Sequence, residues 1–205
     1  MPLYINNKIS ILYMHIPKTG GAYIEDLLRA NSYSQFYWRG KRLTQFDLCT
    51  PQHYTLAQLS GVIDLTAITF IFATVRHPYK RLLSEYTMRH PLHDVQIDQW
   101  LDEAYGNYLN NPYAYDNHLR PQAEFHQSGT RYYKQEDSFD EKWAFKFEND
   151  SSLSLPIKQV PRRKEAKRTH KKILFSDLSY KIRDKYYNLY KNDFKTFNYD
   201  PEEID

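Results

Sequence analysis

The chain has 205 residues, with 28 Lys and Arg against 25 Asp and Glu for a formal net charge of +3, and is 41% hydrophobic and 16% aromatic. That size and apolar content suit one domain, or one domain with a small appendage, and exclude a disordered or purely electrostatic protein. The single cysteine, Cys49, excludes an internal disulfide framework and a four-cysteine zinc site; the eight histidines leave a mixed site formally open, but no Cys/His pair or triplet shows ligand spacing, and no metal is expected. The longest apolar stretch, Ala67 to Val75, falls far short of the roughly 20 residues a membrane span needs. Residues 1–10 do not read as a signal peptide, and a cytoplasmic location is expected.

In chain order, Lys8 to Ile16 reads as a buried parallel strand, since Ile9, Ile11, Leu12, Tyr13, Met14 and Ile16 form a nearly continuous apolar run closed by Pro17. Lys18-Thr19-Gly20-Gly21 follows. Ala22 to Ala30 then reads as a helix with Ile24, Leu27 and Leu28 on one face and Glu25 and Asp26 in its opening turns. Asn31 to Gln52 predicts turns and irregular pieces, and Thr55 to Ser60 one or two helical turns. Ala67 to Val75 is a second buried strand, closed by Arg76-His77-Pro78. Tyr79 to Arg89 is a helix with Pro78 near its start, where a missing N–H costs nothing. Two strand–loop–helix units in succession predict an α/β domain with a mostly parallel sheet. Further on, Ile97 to Ala104 predicts a short helix, Asn107 to Asn117 a loop, Arg120 to His126 a helical piece around Pro121, and Lys142 to Phe147 a strand. Asp177 to Lys191 predicts a helix capped by Ser176, with Leu178, Ile182, Tyr186 and Leu189 at helical spacing.

The positive charge is focused. Lys158 to Lys172 holds eight Lys or Arg and one acid, Glu165, for a net +7, which leaves −4 on the rest of the chain. Such a loop is either an anion or polyanion surface or a solvated face.

Two loops carry chemistry. His15-Ile16-Pro17-Lys18-Thr19-Gly20-Gly21 lies between a buried strand and a helix, where backbone N–H groups and the helix N-terminus make an anion site. Two of the chain's six glycines are adjacent here; the alternative is a mere tight turn. The glycines follow Lys18-Thr19 rather than precede it, so this is not a Walker A loop. In Thr74-Val75-Arg76-His77-Pro78-Tyr79-Lys80-Arg81-Leu82-Leu83-Ser84-Glu85-Tyr86, Arg76 stands at the carboxyl end of a strand, where open parallel sheets bind ligands. Ser84 follows eight residues on, and the pair can hold one phosphate; a structural ion pair is the alternative for Arg76 alone.

These two motifs resemble those of sulfotransferases that use 3′-phosphoadenosine 5′-phosphosulfate (PAPS), with the heparan sulfate 2-O- and 6-O-sulfotransferase branch and its bacterial relatives the nearest. HIPKTGG at 15–21 is similar to the family's 5′-phosphosulfate loop and TVRHPYKRLLSEY at 74–86 to its 3′-phosphate motif. Leu119-Arg120-Pro121-Gln122 with Phe125, Phe145 to Asn149, and Tyr190, Asp193-Phe194, Phe197 and Tyr199 resemble further family segments. The resemblance implies a single sulfotransferase-like domain over 1–205, with a P-loop-like three-layer α/β fold in which helices flank a central, mostly parallel sheet.

It further implies that Lys18, Thr19, Gly20 and Gly21, with neighbours Ala22 and Tyr23, hold the 5′ phosphosulfate, with Lys18 offsetting charge on the bridging oxygen. Arg76 and Ser84 then take the 3′-phosphate, and Arg162, Arg163 and Lys167 of the basic loop close on the cofactor or meet an acidic substrate. His53, in Cys49-Thr50-Pro51-Gln52-His53-Tyr54-Thr55, is the expected general base, ahead of His15, His77, Glu85 and Glu124. The family often has Ser or Thr where this chain has Ala22, a hydrogen bond to a charged group worth ~1.5–3 kcal/mol. The expected product is PAP and the expected acceptor a carbohydrate hydroxyl, with Tyr37, Trp38, Tyr105, Tyr108, Tyr113 and Tyr115 as candidates to line its cleft. No nucleic-acid partner is expected. An ATP-dependent small-molecule kinase and a non-catalytic PAPS- or polyanion-binding protein are the alternatives.

Overall fold

The computed structural model describes residues 2–6, 9–36, 41–42, 44–45, 47–92, 94–153 and 173–203. Among them the chain falls into two units, one of residues 2–75 and 125–153, the other of residues 76–124 and 173–203.

The first unit holds a five-stranded sheet. Its strands are β1 (Leu3–Asn6), β2 (Ile9–Met14), β3 (Ser34–Phe36), β4 (Phe70–Val75) and β5 (Arg131–Lys134), in the order β3-β1-β2-β4-β5. β2 pairs with β4 in parallel (Met14 opposite Ala73), and so does β4 with β5 (Val75 opposite Lys134). β1 pairs antiparallel with both β2 and β3. Four of the five strands therefore run in one direction and β1 alone is reversed. The apolar runs of β2 and β4 are buried on both faces, as central parallel strands should be. Ile11, Tyr13, Phe70, Phe72 and Tyr133 join one core with Ile24, Leu27 and Leu28 of α1 (Gly21–Ala30).

Three strands are absent from the sequence reading. β1 (LYIN) is short with two buried residues, β3 (SQF) is short with none, and β5 (RYYK) has one buried residue. The expected strand at Lys142–Phe147 is instead part of a helix between Glu141 and Ser151. The alternation in KWAFKF invites a strand reading. Yet Trp143, Phe147 and Ser151 are the buried positions, four apart, while Phe145 is 68% exposed. Asp140 caps this helix by accepting from the Lys142 and Trp143 N–H groups at 3.0 and 3.2 Å. The β4 strand also starts later than expected, because Asp64 nucleates a 3₁₀ turn at Leu65–Ala67.

Between β3 and β4 a 3₁₀ turn, Pro51–His53, leads into α2 (Leu56–Leu59). Thr55 and Gln58 close α2 in a capping box.

The second unit is helical: α3 (Pro78–Arg89), α4 (Ile97–Asn110) and, after the first unit's Glu141–Ser151 helix (α5), α6 (Tyr180–Phe197). Its core joins Tyr79, Leu82 and Tyr86 with Trp100, Leu101 and Ala104, and with Ile182, Tyr186 and Tyr190. α4 runs past the expected end at Ala104, since Leu101, Ala104 and Tyr108 are buried in sequence. The loop expected from Asn107 shrinks to a short segment in which Tyr115, Asp116 and Asn117 all take left-handed backbone, at φ 56°, 60° and 64°. α6 begins after Ser179 rather than Ser176, because residues Phe175–Asp177 form a separate 3₁₀ turn. No helix among the described residues is long and apolar enough to cross a membrane.

Candidate active site

In the first unit, β2 and β4 end on the same edge of the sheet. The chain leaves β2 through His15-Ile16-Pro17-Lys18-Thr19-Gly20 and enters α1. Lys18 and Gly20 take left-handed backbone, at φ 68° and 92°, so the loop turns tightly. Gly20 is the N-cap of α1 and gives it no side-chain cap; the Tyr23 N–H turns back to the Gly20 carbonyl at 3.1 Å, and the Gly21 and Ala22 N–H groups ahead of it stand at a helix N-terminus suited to an anion.

Neither glycine has room for a side chain. A Cβ on Gly20 would lie 2.8 Å from the ring of Phe139, and one on Gly21 only 2.2 Å from Nε2 of His15. The His15 ring thus rests on the first residue of α1. It stacks at 5.6 Å on Tyr13, and its Nδ1 lies 2.8 Å from the buried carboxylate of Glu25. Tyr23 stacks on Phe139 at 5.5 Å, while Ala22 is exposed and its side chain offers no polar group.

Thr19 is fully buried, and its hydroxyl has another task than the phosphosulfate contact expected of it. It donates to the Ile16 carbonyl at 2.8 Å and lies 2.9 Å from Thr74 Oγ1, which lies 2.7 Å from Tyr13 Oη. Each hydroxyl has one proton, so the direction is fixed: Tyr13 donates to Thr74, Thr74 to Thr19, and Thr19 to the loop. Burial pushes the Tyr13 hydroxyl up, which keeps it a donor. The side chain of Thr19 ties the loop to β4, and only its main chain remains to face an anion.

His53 sits in the 3₁₀ turn, 4% exposed. Its N–H donates to Thr50 O at 2.9 Å. Its ring meets that of His15 edge-on, with centres 5.3 Å apart. The structure therefore brings together two histidines that lie 38 positions apart in sequence.

In the second unit, Arg76 follows directly on Val75, half-buried. Its N–H donates to Gln122 Oε1 at 3.0 Å and its carbonyl accepts from Gln122 Nε2 at 2.8 Å. Ser84 is half-buried on α3. His77 is buried among Tyr79, Phe194 and Tyr199, its Nε2 3.1 Å from Asp200 O; it is a core residue. Glu85 is engaged by Arg89 at 2.5 Å and His118 at 2.7 Å. Burial pushes its carboxyl up, but His118 and Arg89 outweigh this and hold it below the ordinary carboxylate range. A carboxylate so committed is a poor proton acceptor. Glu124 pairs with Arg120 and accepts from Tyr108 Oη at 3.2 Å.

A groove of about 370 Å³ in this unit is lined by Tyr105, Tyr108, Glu124, Asn188 and Asn192 among others. Tyr113 and Tyr115 lie elsewhere, beneath the guanidinium groups of Arg120 and Arg89 at 4.9 and 4.6 Å. Tyr37, Trp38, Arg162, Arg163 and Lys167 lie outside the described residues.

Sequence reasoning missed Glu25, Phe139 and the clamp on Arg76. Glu25 reads as an ordinary first-turn acid, and Phe139 has no motif. Gln122 falls in a segment with family resemblance but no role attached.

A family model described as the sulfotransferase family matches residues 1–200, so both units lie within one match. No curated protein and no solved structure matches the chain.

Proposed function

The chain belongs to the sulfotransferase family, and from that premise we propose that it transfers a sulfuryl group from PAPS to a hydroxyl of a carbohydrate. The observation that carries this reading is the β2–α1 loop. Its two left-handed residues, its glycines without room for a Cβ and its uncapped helix suit an anion held close to the backbone. A P-loop-like arrangement of this loop at the strand ends is part of the proposal.

The roles follow from the residues. Main-chain groups of Lys18, Thr19, Gly20, Gly21 and Ala22 hold the 5′ phosphosulfate, with Tyr23 beside them. The Lys18 ammonium offsets charge on the phosphate oxygen as the sulfur–oxygen bond breaks. Arg76 and Ser84 hold the 3′-phosphate, Arg76 by charge-assisted hydrogen bonds. When bound, the donor supplies the sulfuryl group. His53 accepts the acceptor hydroxyl proton as that oxygen bonds to sulfur, a role suited to imidazole near neutral pH. The groove with Tyr105 and Tyr108 suits one sugar unit of the acceptor, since aromatic faces cover ring C–H groups and the Asn188 and Asn192 amides match hydroxyls. Arg162, Arg163 and Lys167 are proposed to contact the donor or an acidic acceptor.

The test is turnover. The purified chain is incubated with PAPS and a panel of glycans, and PAP is quantified by chromatography. The expected result is acceptor-dependent PAP release that Lys18→Ala abolishes. Release of no PAP with any glycan, by protein that binds PAP, would place the chain among non-catalytic binders.

A further inference from the structure

Arg76 follows the last residue of the β4 ladder, so its main-chain N–H and carbonyl need partners from elsewhere. One side chain supplies both. Gln122 accepts from the Arg76 N–H at 3.0 Å and donates to the Arg76 carbonyl at 2.8 Å. A primary amide alone among side chains presents an acceptor and a donor side by side in this way. It acts as a stand-in for a neighbouring strand, and it fixes the backbone from which the Arg76 guanidinium projects.

The clamp is itself anchored. Gln122 is fully buried, and its N–H donates to Asp193 Oδ2 at 2.9 Å, with Ala123 N–H donating to Asp193 Oδ1 at 2.8 Å. Asp193 is fully buried on α6. Upstream, the buried guanidinium of Arg81 donates to the Arg120 carbonyl at 2.5 Å and to the His118 carbonyl at 3.1 Å. Arg81 lies on α3, three residues before Ser84. A single hydrogen-bonded frame therefore runs from α3 through Arg81, residues 118–123 and Gln122 to Arg76, with Asp193 as its base.

We infer that Gln122 is a positioning residue for recognition of the 3′-phosphate: its amide sets the backbone of Arg76 within the frame that also carries Ser84. The inference rests on the PAPS reading above and adds to it a residue that never touches the ligand.

Calorimetric titration with PAP and with AMP, which lacks the 3′-phosphate, separates positioning from general stability. The wild-type chain is expected to bind PAP at least about tenfold tighter than AMP, the value of one charge-assisted contact. Gln122→Met keeps the length of the side chain but removes both hydrogen bonds. It should lose about tenfold in PAP affinity and leave AMP affinity within about twofold, with the near-UV circular dichroism unchanged. Gln122→Asn keeps the amide but cannot reach both groups of Arg76; it should show the same selective loss, and it carries the comparison if the Met variant does not fold. In an Arg76→Ala background, Gln122→Met should cost PAP nothing more, because the contact it positions is gone. A folded Gln122 variant with the wild-type PAP-to-AMP ratio, or with full additivity to Arg76→Ala, overturns the inference and leaves the PAPS reading standing. A wild-type chain that binds PAP no better than AMP overturns that reading, and the inference with it.

Discussion

The imidazole of His53 meets that of His15 edge-on, with ring centres 5.3 Å apart and planes at 84°. His15 is in turn fixed by Glu25 on one side and by the backbone of Gly21 on the other. The proposed base therefore stands against a ring that belongs to the proposed anion loop. His53→Ala is expected to lower kcat by roughly 10²–10⁴, the usual worth of general base catalysis, and to leave PAP affinity unchanged. Steady-state kinetics with an acceptor from the glycan panel, beside PAP calorimetry, checks this. A parallel loss of PAP affinity would assign His53 to the donor pocket instead.

Gly21 and His15 form a size-matched pair. Gly21→Ala places a methyl within 2.2 Å of His15 Nε2, and it should destabilise the chain by ~1–3 kcal/mol through overpacking. In a His15→Ala background the same change should cost less than ~0.5 kcal/mol, because the three atoms nearest the added methyl all belong to the His15 ring. Urea denaturation of the four variants measures the coupling, and strict additivity would refute the packing account.

Much of this architecture is legible in the sequence, and the rest is hidden for physical reasons. β2 and β4 announce themselves because strands buried on both faces read as unbroken apolar runs. The proposed anion loop is visible because Lys18, Gly20 and Gly21 sit between such a strand and an amphipathic helix. β1, β3 and β5 carry too few buried residues to leave a period. At Lys142–Phe147 the six residues fit both periods, and the cap at Asp140 decides between them. The clamp on Arg76 is illegible for another reason: Gln122 lies 46 positions away, and an amide that replaces a strand leaves no local pattern.

The cap at Asp140 makes its own prediction. Asp140→Ala removes the acceptor for the Lys142 and Trp143 N–H groups, and should cost about 1 kcal/mol of stability. Asp140→Asn, which keeps an acceptor, should recover most of it. Thermal unfolding of the two variants distinguishes them, and equal losses would rule out capping as the cause.

Glu85 ties acid stability to the second unit. Its carboxyl is held below the ordinary value near 4.5, so the folded state prefers it ionised. Its contribution is present above the unfolded-state value and is lost as pH falls through the lower folded one. The difference in urea midpoint between the wild-type chain and Glu85→Gln should be largest near neutral pH and shrink as the solution is acidified below 4.5. A difference that stays constant with pH would mean that the charge of Glu85 contributes nothing.

A donor site that reads a 3′-phosphate is open to calorimetric titration of the purified chain, cleared of bound nucleotide. PAP is expected to bind, Arg76→Ala and Ser84→Ala to weaken it, and ATP with magnesium to bind at least about tenfold more weakly. Tight binding of ATP with magnesium by folded protein that shows no affinity for PAP would contradict such a site.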